Sequence, residues 1–167
     1  DFVKELDLVM ETDGRIIGNI MYTKASLLDE MGEKKEILTF GPVSIAPEFQ
    51  RKGYGKRLIS DSFQRAEALD YDVIVIFGSP ANYISLGFKS CRRYDVRLED
   101  GTYPAAMLVK ELKPGVLAGK KWIYRQSPAF DICEKDAERF DEKLEKWEKK
   151  YQASQEEFYI YSHSTLK

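Results

Sequence analysis

The sequence predicts an α/β domain of the α+β type, with a mixed, mostly antiparallel central sheet flanked by helices and a C-terminal helical extension. Three observations lead there. A hairpin pattern opens the chain, a strand, loop, helix and strand follow in order between Glu36 and Phe77, and two further extended segments precede a long charged helix. At 167 residues the chain is long enough to bury one substantial core and is crowded for two.

Leu6, Leu8 and Met10 alternate with Asp7, Val9 and Glu11; Asp13-Gly14 supplies the positive backbone angles of a tight turn, and Ile16 to Tyr22 continues in apolar, β-rich style. After a polar connection, Glu36 to Ile45 carries Ile37, Leu38, Phe40, Val43 and Ile45 and reads as a strand. Gly41-Pro42 inside it marks a bulge or bend, because proline offers no ladder donor. From Gly55 onward, Leu58, Ile59, Phe63, Ala66 and Leu69 share one face of an amphipathic helix of about four turns. Val73 to Phe77 is a continuous β-rich run, the signature of a strand buried on both faces.

Ser79-Pro80 begins a short helix that Gly87 ends. Ala105 to Leu112 and Trp122 to Gln126 read as two strands of a C-terminal hairpin, joined through Lys113-Pro114-Gly115 and Gly119. Glu134 to about Gln152 reads as a charged helix with a narrow apolar stripe of Ala137, Phe140, Leu144, Trp147 and Tyr151. Phe158 to Tyr161 would add an edge strand.

Composition narrows the functional classes. Hydrophobic residues make up 43%, charged residues 32% and aromatics 13%, the balance of an ordinary globular domain. A net charge of −2 provides no long-range field for nucleic acid. No apolar run reaches the length of a membrane-spanning helix and no signal-peptide pattern is present, so a cytoplasmic protein with no membrane partner is expected. The two cysteines, Cys91 and Cys133, stand far apart and outside metal-ligand spacing, which predicts free thiols and no metal.

The chemistry concentrates in Gln50-Arg51-Lys52-Gly53-Tyr54-Gly55-Lys56. A glycine-rich stretch between a strand and a helix binds phosphate because the helix's first amides have no partner and its dipole favours an anion. Gly53 and Gly55 keep side chains out of the anion's way, and Arg51, Lys52 and Lys56 add positive charge. A Walker loop would need glycine where Gln50 stands and serine or threonine where Arg57 stands; a dinucleotide fingerprint would need glycine at Leu58.

Gln50 to Gly55, set after Val43-Ser44-Ile45-Ala46-Pro47 and before an amphipathic helix, resembles the Q/R-x-x-G-x-G/A motif of the GNAT acetyltransferase superfamily. The segment Asn82-Tyr83-Ile84-Ser85-Leu86-Gly87-Phe88 resembles that family's second motif. The resemblance is strongest over Ile37 to Phe88. It implies acetyl-CoA as co-substrate, its pyrophosphate on the Gln50–Lys56 loop and its pantetheine arm bonded to the backbone of Val43, Ser44 and Ile45, with Asn82 a further contact. It also implies Tyr83 as the general acid that protonates the departing thiolate; its other reading is a ring that only packs, with its hydroxyl at the surface.

The expected function is therefore transfer of an acetyl group to a primary amine, on a small molecule or a peptide, by direct attack. The alternative is a coenzyme A-binding sensor or interaction module without turnover. Glu36, at the start of the central strand, is the first candidate for the base, and a solvated strand-end charge is its other reading. His163 lies in the tail, and Cys91 and Cys133 carry no catalytic case. The expected organisation is an acetyltransferase domain over residues 1–128, preceded by family elements absent from this chain, and a helical extension over 129–167 packed on the domain or in a homodimer.

Overall fold

In the computed structural model, which describes residues 1–146, 148 and 150–167, the opening hairpin forms with a long second arm. Strand β1 (Leu8–Thr12) pairs antiparallel with β2 (Arg15–Leu28). Asp13 and Gly14 turn between them at φ of 51° and 73°. Leu6 departs from the expected alternation: it ends a single 3-10 turn, Lys4–Leu6, and is wholly buried in the core.

Strand β3 (Lys34–Ile45) lies antiparallel to β2. Ile20 faces Val43 and Tyr22 faces Phe40, so Gly41 and Pro42 together oppose Met21 and make the expected bulge. A 3-10 turn, Pro47–Phe49, leads through the glycine loop into helix α1 (Tyr54–Ala68). Its buried face is Leu58, Ile59, Phe63 and Ala66, whereas Leu69 falls just past the helix and is exposed. Strand β4 (Val73–Phe77) is parallel to β3, and the two are in register only at Leu38 and Ile74. Its first four residues are buried, as a strand covered on both faces requires.

Helix α2 (Pro80–Tyr83) and a 3-10 turn follow, ended by Gly87 at φ 89°. The remaining strands are β5 (Lys89–Ser90), β6 (Val96–Arg97), β7 (Met107–Glu111) and β8 (Trp122–Arg125). The sheet runs β5-β7-β4-β3-β2-β8-β6, with β1 added to β2.

The expected C-terminal hairpin does not form. Strand β7 inserts between β4 and β5, while β8 crosses to the far side of the sheet and pairs with β2 and β6. Both strands thereby find neighbours that bury them, which pairing with each other would not supply. The crossing segment is folded by local bonds: Glu111 accepts from the amides of Gly115 and Leu117, and the Trp122 indole donates to the Leu117 carbonyl.

Each face of the sheet carries a core. On the α1 side, Tyr22, Leu38, Phe40, Ile74 and Leu108 pack with Leu58, Phe63 and Phe88. On the other, Ile37, Val73, Val75, Met107 and Val109 pack with Trp122 and Tyr124.

The C-terminal region also differs from expectation. Helix α3 spans only Glu134–Asp141; Ala137, Phe140, Leu144 and Tyr151 are exposed, and Trp147 lies outside the described residues. Phe158 to Tyr161 belongs to helix α4 (Ala153–Ser162) rather than to an edge strand, because Gln152 and Gln155 close a reciprocal capping box at its start. The chain then returns to the domain, where Thr165 bridges Pro104 and Ala105 donates to the Ser164 carbonyl at 2.8 Å. No helix among the described residues is long and apolar enough to cross a membrane.

Candidate functional site

The site begins with a break in the sheet. Ala46 N–H donates to the Ile17 carbonyl at 2.8 Å, which makes that opposed pair hydrogen-bonded. Antiparallel ladders alternate, so Ser44 opposite Asn19 also spends its backbone on β2, while Val43 and Ile45 turn their amides and carbonyls away from it. Because β4 meets β3 only at Leu38, no strand among the described residues receives those outward groups. The one recorded partner agrees with this geometry: the Gln50 side-chain amide donates to the Ile45 carbonyl at 2.8 Å. That bond ties the glycine loop to the strand's end.

The loop's shape follows from its glycine. Gly53 sits before the helix at φ 88°, a left-handed conformation that an L side chain strains, and Arg51 takes φ 61°. Among the described residues no side chain caps α1, and its first turn holds no acidic residue, so its leading amides and dipole face outward uncompensated. Among the described residues, Arg51, Lys52 and Lys56 are exposed and make no recorded ion pair. Lys52 instead lies over the Phe49 ring, 5.6 Å from its centre.

Loop, strand end and α2 enclose a cavity of about 560 Å³. Of the residues expected in the site, Val43, Ile45, Gln50, Arg51, Gly53, Gly55, Lys56, Asn82 and Tyr83 line it. Ser44, Lys52 and Tyr54 do not; Ser44 is committed to β2, Lys52 leans on Phe49, and Tyr54 packs edge-on against Phe49 at 5.8 Å. Phe49, Ile59, Ala81 and Leu86 complete the wall and were not anticipated. Ile59 had been legible only as a core residue of the helix, and the others had no sequence signal beyond being apolar beside the motifs.

Tyr83 is half-buried with its ring between Phe40 at 5.9 Å and Phe88 at 5.8 Å. Its hydroxyl has no recorded hydrogen-bond partner among the described residues, so its proton is free for a ligand. Burial raises its pKa above the ordinary tyrosine value of 10.0, which keeps the phenol protonated across the physiological range.

Glu36 is not brought to this cavity. It stands four residues before Phe40, about 13 Å along the strand, and pairs with Lys24 at 3.0 Å. The position of a charge near a motif in sequence says little when an extended strand separates them. Cys91 is fully buried, donates to the Pro104 carbonyl, and burial pushes its thiol up to about 11, an inert packing residue; Cys133 is exposed and free. His163 ends α4 against the Tyr159 ring.

Fold and site together define an α/β domain with an uncapped helix start and a protonated phenol opening on the same cavity. Residues 2–89 match the family model described as the acetyltransferase (GNAT) family, and the chain belongs to that family. It is 26% identical over 106 residues to an Escherichia coli K12 protein named "Uncharacterized N-acetyltransferase YjhQ", a match covering 64% of this chain and 55% of that one. The chain thus spans about half the length of that relative. Among solved structures it resembles the GNAT family N-acetyltransferase YhbS of Escherichia coli, determined with CoA, at a TM-score of 0.65 and 22% identity, covering 74% of this chain and 68% of that one. It also resembles a GNAT family acetyltransferase of Brucella melitensis determined with acetyl-CoA, at a TM-score of 0.54 and 24% identity, covering 74% and 66% of the two chains.

Proposed function

We propose that this chain is an acetyl-CoA-dependent N-acetyltransferase that moves an acetyl group to a primary amine by direct attack. The observation that carries the reading is the meeting, in one cavity, of the uncapped α1 start, the outward-turned backbone of Val43 and Ile45, and the Tyr83 phenol. Two fold relatives were solved with CoA or acetyl-CoA, which supports the same donor here.

In this reading the pyrophosphate sits on the amides that open α1, with Arg51 and Lys56 beside it. The pantetheine arm lies along β3 as an added strand, bonding to Val43 and Ile45, with Asn82 facing it from α2. The amine lone pair attacks the thioester carbonyl carbon. The C–N bond forms as the C–S bond breaks, the Tyr83 proton goes to the departing thiolate, and the amine's surplus proton leaves to water, which restores the phenol. Glu36, held by Lys24 at the other end of the strand, has no part in this sequence.

The test is thiol release from acetyl-CoA with a panel of an alkyl amine, an aminoglycoside and a lysine peptide, beside calorimetric titration with CoA. Turnover with at least one amine is expected. Binding without turnover would favour a coenzyme A sensor, and absence of binding would overturn both readings.

A further inference from the structure

Gly78, between the end of β4 and the start of α2, is buried, and its N–H donates to the Ala106 carbonyl at 2.9 Å. Its backbone is not in the left-handed region, so its conformation does not demand glycine. Space does. A Cβ built on Gly78 would stand 2.6 Å from Tyr83 Cε2, 3.2 Å from Cδ2 and 3.6 Å from Cζ. The Tyr83 ring therefore rests directly on bare backbone, with Phe40 and Phe88 at its other sides.

We propose that Gly78 is a positioning residue for catalysis: its missing side chain sets where the Tyr83 hydroxyl stands in the coenzyme cavity. The inference rests on the acetyltransferase reading and on Tyr83 as its acid. An added methyl must displace the ring by about 1 Å to reach ordinary contact. Phe40 and Phe88 limit retreat into the core, so the displacement carries the hydroxyl within the cavity. A proton donor misplaced by that much costs on the order of 10–100-fold in rate, while the loop that holds the pyrophosphate is untouched.

The experiment is a double-mutant cycle of Gly78→Ala and Tyr83→Phe, read as thiol release from acetyl-CoA with the best amine of the panel and as CoA affinity by calorimetry. Gly78→Ala is expected to lower kcat about 10–100-fold, leave CoA affinity within about twofold, and shift the alkaline limb of the kcat–pH profile. In the Tyr83→Phe background the same change is expected to cost less than about twofold, because the group it misplaces is already gone. Phe40→Leu added to Gly78→Ala gives the ring room and keeps the cycle measurable if the single variant does not fold.

Unchanged kcat in folded Gly78→Ala overturns the inference, as does an equal loss in both backgrounds. Failure of both Gly78→Ala and its Phe40→Leu companion to fold assigns Gly78 to the fold alone and also overturns it. Full turnover by Tyr83→Phe defeats the acid assignment, and CoA binding without turnover by the unaltered protein defeats the enzyme reading. Either result takes the inference with it, by a readout separate from the Gly78 variants.

Discussion

Two cavities lie at different places on the sheet, and the larger is not the better candidate site. The one lined by Glu30, Glu111, Lys120 and Lys121 measures about 620 Å³, against about 560 Å³ for the one at the glycine loop. In the first, the lysines and Glu111 are engaged within the protein, whereas Arg92 and Arg93, also in its lining, make no ion pair among the described residues and Arg92 lies over the Tyr103 ring instead. Lys120 pairs with Asp29 and Glu33, Lys121 pairs with Glu30, and Glu111 accepts two backbone amides. Lys120's hydrogen bond, with help from the amides of Glu33 and Met31, holds the Asp29 carboxyl below the usual range. At the glycine loop unpaired cations, an uncapped helix start and outward-turned strand amides meet in one place among the described residues. Unspent polar groups, more than volume, mark where a ligand completes the structure.

The largest effect expected from that contrast comes at Gly53. Gly53→Glu puts a side chain on a left-handed residue and a negative charge at the helix start, and should weaken CoA binding by at least about 100-fold by calorimetry while circular dichroism keeps the folded signal. Retained affinity would remove the distinction between the cavities. Next is Tyr83→Phe, expected to lower kcat about 100-fold with CoA affinity intact. Because burial raises this phenol's pKa above 10.0, the proposed reaction should hold its kcat up to that pH and lose it above, as the phenol deprotonates, and the variant should lack this alkaline limb.

Smaller changes sharpen the contrast. Arg51→Ala or Lys56→Ala should weaken CoA binding about three- to tenfold at low salt, with the difference shrinking as salt screens these exposed charges. Smallest of all, Lys121→Ala in the other cavity should leave CoA binding unchanged and stability within about 0.5 kcal/mol by chemical denaturation, since its pair with Glu30 is exposed. A loss of CoA affinity there would show that the larger cavity also belongs to the site.

What could be read from the sequence was what is local. The Asp13-Gly14 turn, the bulge at Gly41-Pro42, the face of α1 and the doubly buried β4 each follow from a handful of adjacent residues. The pairing of β7 and β8 did not, because which strand receives an apolar run is decided across the whole sheet. Phe158 to Tyr161 has strand-like composition, but the helix it joined was decided several residues earlier by Gln152 and Gln155. In the site, the motifs pointed to the loop and to Tyr83, which line one cavity, while chain order did not tell that Glu36 stands away from that cavity and was silent at Gly78, over which a ring five residues away folds back.

The outward turn of Val43 and Ile45 also bears on pairing between copies of the chain. An unpaired strand edge is a template for any extended peptide, including that of a neighbouring copy. Here it is short and bracketed by Pro42 and Pro47, neither of which has an amide to donate. A foreign strand finds Val43 and the Ile45 amide, the Ile45 carbonyl being held by Gln50, and then nothing, so the break in the sheet offers little seed for aggregation.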